Sequence, residues 1–266
     1  MHDDQKISGM LGAQDSSFIE DAIRRGATRR DLLKMLIASG ATVGLAGTMI
    51  GSAQRAVAAT PKTGGSIRFA WSQHGPSDTF DPAINTNSID YARGRMTYNG
   101  LCRFNEDLTV RPELAEEFSA NDDVTEWTFV LRDGVEWHDG SKLTADDVLY
   151  SMSRHVGDDA ISKAKVLFGD VERWEKVDDR TVRAVLSRPN AEIPTILATF
   201  HFKIIKDGTT DFSKPIGTGP YRVDEFVPGV RSVHSRFDGY WGTEAGPYLD
   251  RIEVFGISDS VARVNA

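Results

Sequence analysis

Cysteine is almost absent from this sequence, because Cys102 is the only one in 266 residues. A single cysteine excludes an internal disulfide and any metal site that needs several thiolates. Cys102 lies in the apolar stretch 101–104, where a strand is expected, and no histidine stands near it in the sequence. A small buried thiol is therefore the expected role of Cys102, and a nucleophile is the remote alternative.

Positive charge is also in short supply. The chain has 31 Lys and Arg against 39 Asp and Glu, which gives a formal net charge of −8 at pH 7. Nucleic-acid binding depends on a basic stripe, often interleaved with aromatic residues, and the sequence has none. We therefore expect no nucleic acid among the partners, while the acidic balance by itself reports mainly on solubility.

Motifs for cofactors and metals are missing too. The sequence has no glycine-rich loop that ends in Gly-Lys-Ser or Gly-Lys-Thr, and no dinucleotide-binding fingerprint. Gly217-Thr218-Gly219 precedes Pro220, which cannot open a phosphate-binding helix in the usual way, so these glycines are expected to serve a backbone turn. No second histidine lies at a ligand spacing from His138. The sequence thus predicts neither a cofactor nor a metal.

Long hydrophobic runs are missing as well. The most apolar stretch, residues 35–50, is short and rich in Gly, Ala and Thr, whereas a membrane-spanning helix needs about 20 apolar residues. The segment before it, residues 28–34 (TRRDLLK), resembles the twin-arginine export signal through Arg29 and Arg30. Small residues after the stretch suit signal peptidase, and cleavage is expected after Ala58 or Ala59.

This pattern predicts that residues 1–59 are an N-terminal extension and signal peptide, handled by the twin-arginine translocase and signal peptidase. An uncleaved helical anchor is the alternative. No cysteine stands at the expected cleavage site, which excludes lipid attachment there. The mature protein is therefore expected to be free in the periplasm.

The rest of the sequence alternates strand and helix patterns. Residues 125–131 place Trp127, Phe129 and Leu131 on one face with a period of two, which predicts a half-buried strand. Thr144 has the residue type to cap a following helix with acids in its first turn. Further strands are expected at 66–71, 171–177, 180–186, 221–226, 231–237 and 251–257, and helices at 88–99, 112–118 and 191–200. This mixture, with hairpins present, favours an α/β or mixed α+β fold.

A series of short motifs carries a family resemblance. The run at residues 131–151 is LRDGVEWHDGSKLTADDVLYS, with PELA at 112–115, PIGTGPY at 215–221, YW at 240–241 and DSVAR at 259–263. Together they resemble the extracellular solute-binding proteins of peptide-type ABC importers (family 5), which include dipeptide, oligopeptide and nickel binders. Several spaced matches in one order are more specific than any single match.

The resemblance implies a type II periplasmic-binding-protein-like first lobe with an inserted subdomain. Residues 60–89 plus 201–266 would form the discontinuous α/β lobe I, and residues 90–200 would form the insertion. Family members are roughly twice as long as this chain, so the second lobe is expected to be largely missing. By this interpretation the sequence is a fragment or a truncated reading frame.

The same resemblance implies a monomeric binding protein rather than an enzyme. Its partners would be a peptide or other small solute, and the inner-membrane ABC permease with its ATPase. Peptide is the leading ligand class by family frequency, while nickel chelates, haem, glutathione, opines and sugars stay open.

The candidate ligand contacts lie where the first strand of the exported part ends. Ser72, Gln73 and His74 form a polar loop after this strand, and such loops on α/β sheets are suited to bind ligands. An ordinary solvated connection is the alternative for them. Trp71 would either close over the ligand or pack beneath the loop.

Two rival functions use the same sequence. A secreted hydrolase would draw its acids and base from Glu136, His138 and Asp139, although no nucleophile motif accompanies them. The alternative role of His138 is a hydrogen-bonded histidine in a turn. A truncated, non-functional remnant of a solute-binding protein is the other rival.

Overall fold

The computed structural model describes Ile19, Ile50 and residues 21–23, 25–38, 62–242 and 246–265. The chain divides into two compact units, residues 1–62 and residues 63–266. Each unit is described by itself.

In the first unit, helix α1 (Arg29–Ala38) carries both arginines of the predicted export signal on its exposed surface. Thr28 and Asp31 cap it reciprocally, because the Asp31 amide donates to the Thr28 hydroxyl and the Thr28 amide donates to the Asp31 carboxylate. No helix among the described residues is both long and apolar enough to cross a bilayer. Ala58 and Ala59 lie outside the described residues, and cleavage there stays a prediction.

The second unit is a mixed α/β structure, which confirms the expected fold class. Its described strands are β1 (Ser66–Trp71), β2 (Cys102–Phe104), β3 (Val110–Pro112), β4 (Ala115–Ala120), β5 (Glu126–Leu131), β6 (Val171–Asp178), β7 (Thr181–Leu186), β8 (Tyr221–Val227), β9 (Arg231–Arg236) and β10 (Arg251–Gly256). Its described helices are α2 (Ser88–Thr97), α3 (Ala145–Ser153), α4 (Ile193–Leu197) and α5 (Ser260–Asn265), with a 3-10 turn at Lys165–Phe168.

The first sheet joins sequence from both ends of the second unit, in the order β1-β10-β9-β8. β1 pairs in parallel with β10, and the other neighbours are antiparallel. Ile89 of α2 packs on this sheet with Tyr221, Ile252 and Val254. The carboxyl end of β1 is thereby fixed beside α2, which places the candidate loop.

The second sheet is antiparallel throughout, in the order β4-β5-β7-β6. β7 alternates between half-buried and buried residues, and Phe129 and Leu131 of β5 are buried beside it. Helix α3 covers this face with Val148 and Met152 and begins with the predicted cap, a reciprocal pair of Thr144 and Asp147.

The prediction of a helix at residues 112–118 is wrong, because this segment contains the ends of two strands. β3 ends at Pro112, and β4 begins at Ala115 and pairs with β5. The segment has residues that favour helix, but strand pairing and the buried contacts of Glu113 override that local preference. The helix expected at 191–200 is also shorter, since α4 is Ile193–Leu197.

Candidate functional site

The loop that leaves β1 is held to the start of α2 through Ser88. The indole nitrogen of Trp71 donates to the Ser88 hydroxyl (2.7 Å), and this hydroxyl donates to Oε1 of Gln73 (2.8 Å). Trp71 also packs edge-on against Phe69 in the cluster beneath the sheet. Trp71 is thus half-buried in this cluster, while Ser72 and Gln73 are exposed.

His74 ties the same loop to two other elements. Its Nδ1–H donates to the Gly229 carbonyl (2.8 Å), and its Nε2 accepts from the Ser258 hydroxyl (3.0 Å). The ring also lies so close to Gly256 that a Cβ at that position would fall 2.4 Å from it. His74 is therefore a brace between loop and sheet, with both ring nitrogens occupied.

The Asp78 carboxylate holds the loop in place by accepting four hydrogen bonds. Its Oδ1 accepts from the Gly75 amide (2.8 Å) and from the Asn87 side chain (2.9 Å). Its Oδ2 accepts from Nη1 of Arg93 (3.0 Å) and from the Gly229 amide (3.2 Å). One buried carboxylate thus joins the loop, the N-terminus of α2 and the β8–β9 turn.

Arg93 supplies the charge that this carboxylate requires. The Arg93 side chain is fully buried, and its Nη1 also contacts Asp90 at 3.2 Å. Its Nε donates to the Ser232 hydroxyl (3.0 Å), and the guanidinium lies over the Phe226 ring. A buried charge of this kind is stable only when paired and hydrogen-bonded. The pairing therefore makes the geometry of the candidate loop depend on α2 and β9.

Asp78 and Asp90 share the single guanidinium group of Arg93, and this crowding of two carboxylates affects the pKa of Asp90. Burial and the neighbouring charge of Asp78 raise the pKa of Asp90 to about 6, although Arg93 opposes the shift. Asp90 therefore takes up a proton at mildly acidic pH, well above the ordinary range of an aspartate.

Sequence reasoning did not find Ser88, Asp78 or Arg93. Their partners lie up to 151 residues away along the chain, as the Gly229 amide does from Asp78. The local signals were the short spacing of Gly75 and Asp78, which suits a side chain that caps a turn, and the i,i+3 spacing of Asp90 and Arg93 on one helix.

His138 is engaged in structural bonds. Its Nδ1 accepts from the Gly217 amide (3.2 Å), and its Nε2–H donates to the Gly219 carbonyl (2.9 Å). Its ring packs edge-on against Phe237. The histidine thus pins the turn at 136–142 to the glycine-containing segment at 217–219, as the hydrogen-bonded alternative proposed.

The rest of the hydrolase hypothesis finds no support in the described residues. Asp139 pairs with Lys206, and both nitrogens of His138 are in use, so neither is free to act as a base. Burial raises the pKa of the Cys102 thiol to about 12, which makes it a poor nucleophile. No cluster of three metal-ligating side chains occurs in the described part of the chain.

Two buried histidines and the half-buried His138 predict an acid-sensitive fold. Burial lowers the pKa of His138 to about 4 and the pKa values of His155 and His234 to about 3. The unfolded chain takes up these protons near pH 6.5, so the free energy of unfolding decreases as the pH falls through that value. Asp90 has the opposite effect on the free energy of unfolding below about pH 6, because its pKa is raised in the folded state. The three histidines together outweigh this single group.

We expect urea denaturation to show a free energy of unfolding lower by at least about 1 kcal/mol at pH 5.5 than at pH 7.5. Histidine ring resonances followed by NMR should show His155 and His234 uncharged at pH 5.5. Equal or greater stability at pH 5.5 would contradict the prediction.

Comparison with known proteins gives a family match over most of the second unit. Residues 109–266 match the family model described as bacterial extracellular solute-binding proteins, family 5 Middle. The dipeptide-binding protein of Escherichia coli K12 is 34% identical over 221 residues, which cover 71% of this chain and 41% of that protein.

Solved structures agree with the match. One is DppA, an ABC transporter-associated periplasmic binding protein of Helicobacter pylori in complex with the peptide STSA. It has a TM-score of 0.69 and 26% identity, covering 77% of this chain and 45% of that one. The periplasmic binding protein AgaA of A. tumefaciens R10, in complex with agropinic acid, has a TM-score of 0.69 and 27% identity, with coverage of 76% and 42%. The chain thus spans less than half the length of the relatives it matches.

Proposed function

The chain belongs to family 5 of the bacterial extracellular solute-binding proteins, and from this premise we propose that it binds a peptide-like solute in the periplasm. It delivers this solute to the inner-membrane permease and ATPase of an ABC importer. Export through the twin-arginine translocase, cleavage after Ala58 or Ala59, and a monomeric state are parts of the same proposal.

The observation that carries the proposal is the braced loop at the end of β1. Solute-binding loops need fixed geometry and unpaired polar groups, since ordering a mobile loop would weaken binding. Trp71 and His74 are held by Ser88, Gly229 and Ser258, while the Ser72 hydroxyl and the Gln73 amide nitrogen have no partner among the described residues. Ser72 and Gln73 therefore contact the solute, and Trp71 and His74 position them.

The relatives support the ligand class. The Escherichia coli protein is a dipeptide-binding protein, and the Helicobacter pylori structure holds the peptide STSA. The AgaA structure holds agropinic acid, so small solutes other than peptides stay within the proposal.

We propose further that this chain supplies one wall of a two-lobed cleft. Residues 60–89 plus 201–266 form lobe I, and residues 90–200 are inserted in it. The opposite wall corresponds to the part of the relatives that lies outside the matched 41–45% of their length. Closure of the two walls around the solute would stabilise one state by differential affinity. With one wall, only weak binding is expected.

NMR titration of the isotopically labelled 266-residue chain tests this function. We expect tetrapeptide STSA at millimolar concentration to shift the amide resonances of residues 72–75 selectively, and calorimetry at micromolar concentration to show no saturable heat. Ser72→Ala should weaken the titration about twofold to tenfold, because it removes one hydrogen bond to the solute.

Ser213→Ala is the matched control, since Ser213 is an exposed serine that does not belong to the loop. The absence of shifts at residues 72–75 with di- and tetrapeptides would refute peptide binding at this loop. Micromolar binding would refute the single-wall proposal. A chain that aggregates and does not melt cooperatively would favour the non-functional remnant instead.

A further inference from the structure

A concave region lies away from the β1 loop and is lined by several cationic side chains. It is a cavity of about 730 Å³ between the C-terminus of α2, the β2–β3 hairpin and residues 240–242 and 246–249. None of residues 71–78 lines it. Five cationic side chains do: Arg95, Arg103, Arg111, Arg132 and Lys203.

Glu113 is the single acidic residue among the described lining residues, and its charge is already used. Its two carboxylate oxygens accept from the Asn99 side chain (3.0 Å) and the Gly100 amide (2.6 Å). The ammonium of Lys203 lies 3.7 Å from the same carboxylate, with both side chains buried. This pair is neutral overall, so the positive charge of the four arginines is uncompensated among the described lining residues.

Two of these arginines oppose each other directly across the hairpin. Arg103 of β2 and Arg111 of β3 are register partners, and like charges in such a pair destabilise a sheet. Neither has a carboxylate within 4.0 Å among the described residues, and the Nε of Arg103 is shielded from water without an acceptor. An arginine donor in that state has lost water without gaining a partner. An anion bound between the two guanidinium groups would reduce the repulsion between the like charges and give the Nε of Arg103 an acceptor.

The remaining walls hold the guanidinium groups in place. Arg132 stacks over the Trp241 ring at 5.1 Å, and its Nε donates to the Glu113 carbonyl. This leaves the outer edge of its planar fork available, and such forks bind carboxylate and phosphate groups in a bidentate manner. In a chain with a net charge of −8, this concentration of cations is local. Concave walls focus its field on the cavity.

We propose that this cavity is a binding site for a small polyanion that carries two or more carboxylate or phosphate groups. Arg103 and Arg111 bind one anionic group between them, and Arg132 binds a second. The site is separate from the proposed solute contacts at Ser72 and Gln73, so either proposal can fail without the other.

Calorimetric titration of the 266-residue chain with citrate and, separately, with pyrophosphate tests the site at constant ionic strength. We expect saturable binding of at least one probe, with a Kd below about 1 mM. The double variant Arg103→Gln/Arg111→Gln should weaken it at least about tenfold, because two charge-assisted bonds are lost. The citrate and pyrophosphate arms separate carboxylate from phosphate recognition.

The double variant Arg173→Gln/Arg188→Gln is the matched control, because it removes the same charge from exposed positions outside the cavity. Arg111 is exposed, so Arg111→Gln alone should keep the fold and still weaken binding several-fold. No saturable heat with either probe up to about 10 mM would overturn the proposal. So would equal losses in the two double variants, or unchanged binding in Arg111→Gln and in a folded Arg103→Gln/Arg111→Gln.

Discussion

Replacing Arg93 by methionine is expected to lower the free energy of unfolding at pH 7.5 by about 3–5 kcal/mol. Methionine fills much of the same volume but leaves the buried carboxylates of Asp78 and Asp90 without a cation. An uncompensated buried charge is among the most destabilising changes that a single substitution can cause. Urea denaturation measures the loss.

Two comparisons show whether the loss is electrostatic. Arg95 lies on the same helix with an exposed side chain, and Arg95→Met should change the stability by less than about 0.5 kcal/mol. Because burial and the charge of Asp78 already raise the pKa of Asp90 to about 6, the loss in Arg93→Met should be smaller at pH 5. A loss below about 1 kcal/mol at pH 7.5 would show that the buried ion pairs do not hold this region.

The same variant has a consequence for the proposed solute loop. Asp78 fixes the Gly75 amide and the Gly229 amide, and Gly229 in turn accepts from His74. Loss of Arg93 should therefore loosen residues 72–75 and increase their amide hydrogen exchange relative to β5. Unchanged exchange in the loop would separate the buried ion pairs from loop positioning.

Replacing Gly217 by alanine is expected to destabilise the fold by about 3 kcal/mol or more. A Cβ at this position would lie 1.7 Å from the carbonyl oxygen of Thr97 at the end of α2. The obstacle is backbone, and it is held in place because the Gly219 amide donates to that same oxygen (2.9 Å). The clash can be relieved only by moving α2 or the 215–221 segment away from its buried position.

Gly94→Ala is the matched control and should have the opposite sign. Gly94 lies inside α2, and a Cβ there would meet nothing within 4 Å. Alanine is favoured over glycine in a helix interior by up to about 1 kcal/mol, so the variant should be more stable than the parent. A stability of Gly217→Ala within about 1 kcal/mol of the parent would refute the close-approach argument.

The glycines of the PIGTGPY segment have a second role that the sequence interpretation did not include. They were expected to serve a backbone turn, and the chain bends at 218–220, but neither Gly217 nor Gly219 has a positive φ. Each is required because the segment passes against the last turn of α2, where a side chain has no space. Close approach to another segment is not encoded in neighbouring residues, and the motif alone could not distinguish it from a turn.

The sequence by itself determined the family, the mixed α/β class and most of the strands. It also determined the cap of α3, because alternation, turn residues and capping act over a few neighbouring positions. Only the tertiary structure decided that residues 115–120 pair as a strand, that Arg93 joins Asp78 to Ser232, and that Arg103 stands opposite Arg111. These outcomes depend on sheet register and on partners as distant as the 139 residues between Arg93 and Ser232. Burial then converts such contacts into strong interactions, since charges removed from water must find partners within the fold.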